Sequence, residues 1–137
     1  MSYTNLYGIK SDFTAVELKQ YKNSWLFLPQ IYKILGEKNL NEKDTYKVLF
    51  TSKNLDKLER NVSKSKRTED RVLWLLVNQQ IFFTKDKTFI ADCIQKFFME
   101  DVRYYHPDNM DLIEWYDKIR KDISALDEKK YPYFICL

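Results

Sequence analysis

Apolar residues recur along most of the chain at spacings of three and four, the mark of amphipathic helices rather than of half-buried strands. Thr14-Ala15-Val16-Glu17 has the form of a capping box, in which a threonine hydroxyl and a glutamate carboxylate satisfy free amides at a helix start. Leu18, Tyr21, Trp25 and Leu28 follow at helical spacing, which predicts a first helix with those side chains on one buried stripe. Pro29 interrupts it and suits the first turn of a second helix, which carries Ile31, Ile34 and Leu35 to a stop near Gly36. Asn41 is the next candidate cap, with Tyr46, Leu49 and Phe50 as the apolar face behind it. Leu55, Leu58 and Val62 continue the period through a polar segment, as in a surface helix with a narrow buried stripe.

After a basic connection from Ser63 to Arg67, Thr68 is read as the cap of the most apolar helix. There Val72, Leu73, Trp74, Leu75, Leu76 and Val77 point in every direction, which predicts a central helix. Phe89, Ile90, Cys93, Ile94, Phe97 and Phe98 then predict a long helix from beyond Thr84 to near Asp101. The last helix is predicted to begin around Pro107 or Asp108, with Leu112, Tyr116, Ile119, Ile123 and Leu126 as its stripe and acidic residues in its first turns, where the helix dipole favours them. The apolar tail Tyr131 to Leu137 packs back on the core, in an extended form if not a helical one.

The expected fold is therefore all-α: a single helical domain over residues 1–137, a compact bundle of about five to seven helices, with a short extended segment allowed at either terminus. Composition agrees with that expectation. The 137 residues are 45% hydrophobic and 16% aromatic, enough for one core, and contain only two glycines and three prolines. A multi-stranded sheet usually needs more turn formers than that. There is no internal repeat.

The first ten residues lack the basic and apolar regions of a secretory signal, and no stretch approaches the ~20 apolar residues of a membrane span. The expectation is a cytoplasmic protein with no membrane partner. Cys93 and Cys136 are then reduced thiols, one a small buried hydrophobe and the other near the chain end. Asn61-Val62-Ser63 fits a glycosylation acceptor only formally, and Phe134-Ile135-Cys136-Leu137 lacks the cysteine position of a prenylation box.

Catalytic constellations are missing one by one. His106 is the only histidine, so paired-histidine metal sites are excluded, and as a base it would need a nucleophile or orienting acid that the sequence does not place beside it. Neither Gly8 nor Gly36 has a second glycine nearby, which leaves no phosphate loop, and no Gly-x-Ser-x-Gly elbow occurs. Asp108 and Asp111 have the chemistry for a metal or for proton transfer, but helix solvation accounts for them more simply. No enzyme activity, cofactor or metal is expected.

Charge is uneven. From Lys43 to Arg67 there are eight basic residues against three acids. Lys64, Lys66 and Arg67 are its best candidates for phosphate contacts, and a solvated lysine-rich face is the plainer reading. From Glu100 to Glu128 the balance inverts to nine acids against four basic residues. On a helical wheel Asp108, Asp111, Trp115 and Asp122 lie together beside the buried stripe, with Glu114 near them. Tyr104 and Tyr105 fall near the start of the same helix. An aromatic ringed by carboxylates suits a basic protein surface, whereas in the plainer alternative Trp115 extends the core and the acids keep the helix soluble.

A small helical domain without a catalytic set, bearing an acidic and aromatic face, resembles in type the immunity proteins of bacterial contact-dependent growth inhibition and other polymorphic-toxin systems. That resemblance implies tight binding to a cognate toxin domain, commonly a basic nuclease, over its active site or beside it. The alternative is a nucleic-acid-binding regulator or phage-type inhibitor using the basic 43–67 segment through Lys64, Lys66 and Arg67.

Overall fold

The computed structural model describes residues 3–22, 28–40, 52–105 and 107–137. Two strands open the chain, β1 (Tyr3–Ile9) and β2 (Ala15–Lys22), and are followed by helices α1 (Leu28–Asn39), α2 (Ser52–Ser63) and α3 (Thr68–Val77). A two-residue strand β3 (Phe82–Phe83) and a single 3-10 turn lead into α4 (Lys87–Phe97), which runs on through a π-helical turn, Phe98–Val102, and a short helical turn, Arg103–Tyr105. Helix α5 (Met110–Ser124) and strand β4 (Tyr133–Cys136) complete the described chain. The strands form one antiparallel sheet in the order β2-β1-β4-β3.

The fold is thus mixed α/β, and the all-α expectation is overturned by this four-stranded sheet. Three local features explain the difference. The helix expected from Thr14 is strand β2, and its register against β1 slips between Leu6 and Tyr7, so that Leu18 is an extra, bulged residue. A bulge shifts the face on which later side chains emerge. Leu18 and Tyr21 therefore both turn inward although three positions apart, which copies helical spacing.

Secondly, the β1–β2 reversal uses no glycine. The Asp12 carboxylate accepts the Thr14 amide at 3.0 Å, and Phe13 itself takes the left-handed conformation at φ 67°. Thirdly, β4 is the short apolar tail, buried at Phe134, Ile135 and Cys136. The tail, expected to pack back on the core, does so as a strand that pairs with β1.

The helices follow their stripes more closely than their caps. Ile31, Ile34, Leu35, Leu58, Val62, Leu73, Ile94, Phe97, Tyr116, Ile119 and Ile123 are all buried in one cluster, while Leu75 on the central helix is exposed. Helix α1 does not stop at Gly36 but gains another turn, in which Leu40 N–H donates to the Gly36 carbonyl at 2.8 Å. At the start of α3 the capping position is Arg67, without a side-chain cap, and Thr68 lies inside the helix. The last helix begins at Met110, not at Pro107 or Asp108, because Asn109 is the cap and accepts the Leu112 amide at 3.4 Å. The expected helix behind Asn41, Trp25 of the first stripe, and His106 lie outside the described residues.

Register sorts the sheet's two faces. Paired residues share a face, so Thr4 with Tyr21, Leu6 with Cys136, and Gly8 with Phe134 point towards the helices. Tyr21 ties this inner face to α5: its hydroxyl donates to Asp122 Oδ2 at 2.8 Å, and its ring meets Trp115 edge-on at 6.4 Å. Burial, and after it the Asp122 carboxylate, raise the Tyr21 hydroxyl above its ordinary titration range. Removing that hydroxyl with Tyr21→Phe should cost about 1.5–3 kcal/mol in urea unfolding, the range for a bond to a charged acceptor. An unchanged midpoint would show the bond to be dispensable.

Cys93 and Cys136 are free and buried, and burial pushes the Cys136 thiol up to about 12. Such a thiol stays protonated and inert. No helix among the described residues is long and apolar enough to cross a membrane.

Candidate partner-binding face

Helix α5 is charged in two halves. Asp108 precedes it and Asp111 and Glu114 lie in its first half, all exposed. Lys118, Arg120 and Lys121 follow in its second half. This order matches the helix dipole, with anions at the amino end and cations at the carboxyl end. It also confines the acidic surface to the helix start. Asp117 does not extend it, since Arg120 at 2.6 Å and Lys121 at 2.8 Å both hold its carboxylate. The bonds to Lys121 and then Arg120 pull Asp117 below the usual carboxylate range.

The residues grouped by sequence separate into three places. Trp115 is half-buried, packed against the core and edge-on to Tyr21, with the Lys118 ammonium 5.7 Å from its ring. Asp122 is occupied by the Tyr21 hydroxyl. These two belong to the junction between α5 and the sheet. Tyr104 and Tyr105 meet edge to face at 5.2 Å, and Tyr105 lines a small cleft with Lys33, Ile34 and Glu37 of α1. Tyr105 therefore faces α1, and Tyr104 is exposed beside it; neither lines the depression or the cleft at the start of α5. Burial lifts the Tyr105 hydroxyl above its ordinary range.

Asp108 and Asp111 remain together, and Glu114, one turn on from Asp111, also lines a shallow cleft with Trp115 and Lys118. Asp108 and Asp111 share a shallow depression with Pro107, Asn109 and Met110. Glu114 stands on the rim of a cleft of about 290 Å³ between α4, the π-helical turn and α5, lined also by Gln95, Phe98, Met99, Tyr116, Asp117 and Arg120. Met99 is 49% exposed and Met110 65%. The acidic start of α5 thus borders flexible apolar side chains that sequence reading passed over. Met99 had a signal: it falls off the stripe of Ile90, Ile94 and Phe97.

The basic candidates divide as well. Lys64 and Lys66 are exposed in the turn between α2 and α3. Arg67 is committed to carboxylates: Nε to Glu69 at 2.8 Å, Nη1 to Asp101 at 2.9 Å, and Nη2 to Glu100 at 2.7 Å and Asp101 at 3.0 Å. Lys38 of α1 completes the cluster, reaching Asp70 at 2.7 Å and Asp101 at 3.2 Å. Glu69, Asp70 and Asp101 are buried, and the first two sit in the opening turn of α3, where free amides favour anions. A phosphate would have to displace these partners to reach Arg67. The side chains of Lys43, Lys47 and Lys53 lie outside the described residues.

Among the described residues no group of three or more His, Cys, Asp or Glu is arranged to hold a metal ion. No family model, curated protein or solved structure matches the chain.

Proposed function

We propose that the protein is an immunity protein, which binds and neutralises a cognate bacterial toxin domain, a nuclease of basic surface, by protein contact alone. The observation that carries this reading is the start of α5, where exposed Asp108 and Asp111 share a shallow depression with exposed Met110, and exposed Glu114 lines a separate cleft with exposed Met99. Apolar anchors beside a polar rim are the anatomy of a protein interface, and three carboxylates without ion pairs among the described residues attract a basic surface from a distance. Methionine adds a flexible, polarizable contact that moulds to a partner.

Co-expression with any toxin domain found encoded beside this chain tests the proposal. A stable complex and restored growth are expected; toxicity unrelieved and no complex would reject it. Asp111→Lys combined with Glu114→Lys should slow association about tenfold and flatten its salt dependence, because rim charges act mainly on the encounter rate. An unchanged association rate would move the interface elsewhere on the molecule.

A further inference from the structure

The sheet's outer face carries a row of aromatic rings that neither the core nor the acidic patch uses. By register Tyr3, Tyr7, Tyr133 and Phe83 point away from the helices, around Ile9 and Ile135, which are buried on the same face. Phe13 leaves the β1–β2 turn and stacks on Tyr133 at 5.9 Å, nearly parallel at 15°, and Tyr133 meets Phe83 at 5.6 Å. The Lys85 ammonium lies 5.1 Å from the Phe83 ring. Phe13 is 75% exposed and Phe83 54%.

Phe13 reaches its place through a left-handed backbone, a conformation that costs a bulky residue roughly 1–2 kcal/mol. Folding alone gains little from holding such an exposed ring there.

We propose that this row, Phe13–Tyr133–Phe83, is a stacking platform for single-stranded nucleic acid. Every unpaired base offers a π-face, so a line of exposed rings binds a strand without reading its sequence. The charges fit a polyanion. Lys85 closes one end of the row, and Lys22 pairs with Tyr3 on the same face. The nearby carboxylates are Asp12, which stays charged while it accepts the Thr14 amide, Glu17, opposite Tyr7, and Asp86, next to Lys85, so the rings carry the binding and the lysines place the phosphates. A purely apolar protein partner would leave the lysines unmatched. A duplex is excluded by chemistry, because its base faces are already stacked. The acidic start of α5 is no obstacle, since α5 packs behind the inner face through Tyr21.

Fluorescence anisotropy with labelled oligo-dT and oligo-rU, against a duplex of the same length, provides the test. Binding of the single strands is expected, falling between about 50 and 200 mM salt, with little binding of the duplex. Phe13→Asn should weaken it about tenfold or more, the scale of one lost stacking ring, and asparagine tolerates the left-handed backbone so the hairpin stays folded. Phe83→Ala should act similarly, and Lys85→Gln should reduce the salt dependence. Lys64→Gln with Lys66→Gln, and Asp111→Lys with Glu114→Lys, should not weaken it.

Absence of single-strand binding overturns the proposal. So does binding that survives Phe13→Asn and Phe83→Ala, or that is lost with Lys64 and Lys66. Self-association of the chain abolished by Phe13→Asn would assign the face to a second copy instead. None of these outcomes bears on toxin neutralisation, which is read from a different surface.

Discussion

Arg67→Ala is expected to lower stability by about 2–3 kcal/mol, seen as a lower urea midpoint with an unchanged slope. The side chain bridges Glu69, Glu100 and Asp101, of which Glu69 and Asp101 are only 3% and 7% exposed. With the guanidinium gone, Glu69 keeps Lys96 at 3.7 Å and Asp101 keeps Lys38 at 3.2 Å. Breaking a fully buried pair costs about 3–5 kcal/mol, but the Arg67 side chain is itself 33% exposed, so water screens part of the interaction and lowers the figure. Arg67→Lys should recover only part of the loss, because one ammonium lacks the fork that reaches three carboxylates.

The same cluster sets an acid limit. Burial pushes Glu69 upward, but hydrogen bonds from its own amide and from Arg67 outweigh it and hold the carboxyl below its ordinary value. A carboxyl depressed in the folded state contributes its full stability above the unfolded value of about 4.3 and loses it as pH falls through the folded one. The gap between the native protein and Arg67→Ala should therefore be constant near neutrality and shrink in acid. A midpoint within about 0.5 kcal/mol of the native protein at neutral pH, the range of ordinary surface changes, would show that the cluster is not an organising feature.

Gly8→Ala should be nearly as damaging, at about 2 kcal/mol, the middle of the range for overpacked sites. A Cβ on residue 8 would stand 2.6 Å from Cγ and 2.7 Å from Cδ1 of Tyr131, and 3.0 Å from Cδ1 of Leu18. Cγ roots the ring and cannot swing aside, and Tyr131 is anchored by its amide on the Asp127 carbonyl at 2.8 Å. Alanine ordinarily stabilises a strand position relative to glycine by about 0.5–1 kcal/mol, so a measured loss must come from the collision. A stability equal to or above that of the native protein would mean that β1 and the Tyr131 turn separate easily.

Both sites show what a single sequence can and cannot carry. Ile90, Ile94 and Phe97, and Leu112, Tyr116, Ile119 and Ile123, are readable because helical burial is periodic within a dozen residues, and all are in the core. The sheet was hidden because its evidence is non-local. β3 has only two residues, and β4, buried on both faces, shows a continuous apolar run instead of alternation. The bulge at Leu18 then turned the one long edge strand into a false helical stripe.

The charge cluster gave one local hint, Asp101 four positions beyond Phe97 on the apolar stripe. The partners of Asp101, Arg67 and Lys38, stand 34 and 63 positions away in the chain, so nothing local names them. At the acidic start of α5 the sequence located Asp108, Asp111 and Glu114. It grouped them with Trp115 and Asp122 because a helical wheel shows which side chains share a face, not which are claimed by a distant strand.

The placement of β4 between β1 and β3 bears on the order in which the molecule assembles. Helix pairs such as α3 and α4 close over short loops, whereas β1 finds β4 only across nearly the whole described chain. Loop-closure entropy makes such pairing late and slow. An early species would hold its helices while Phe82, Phe83 and the inner edge of β1 wait unpaired, the kind of exposed edge that seeds aggregation. Refolding yield should accordingly fall as protein concentration rises.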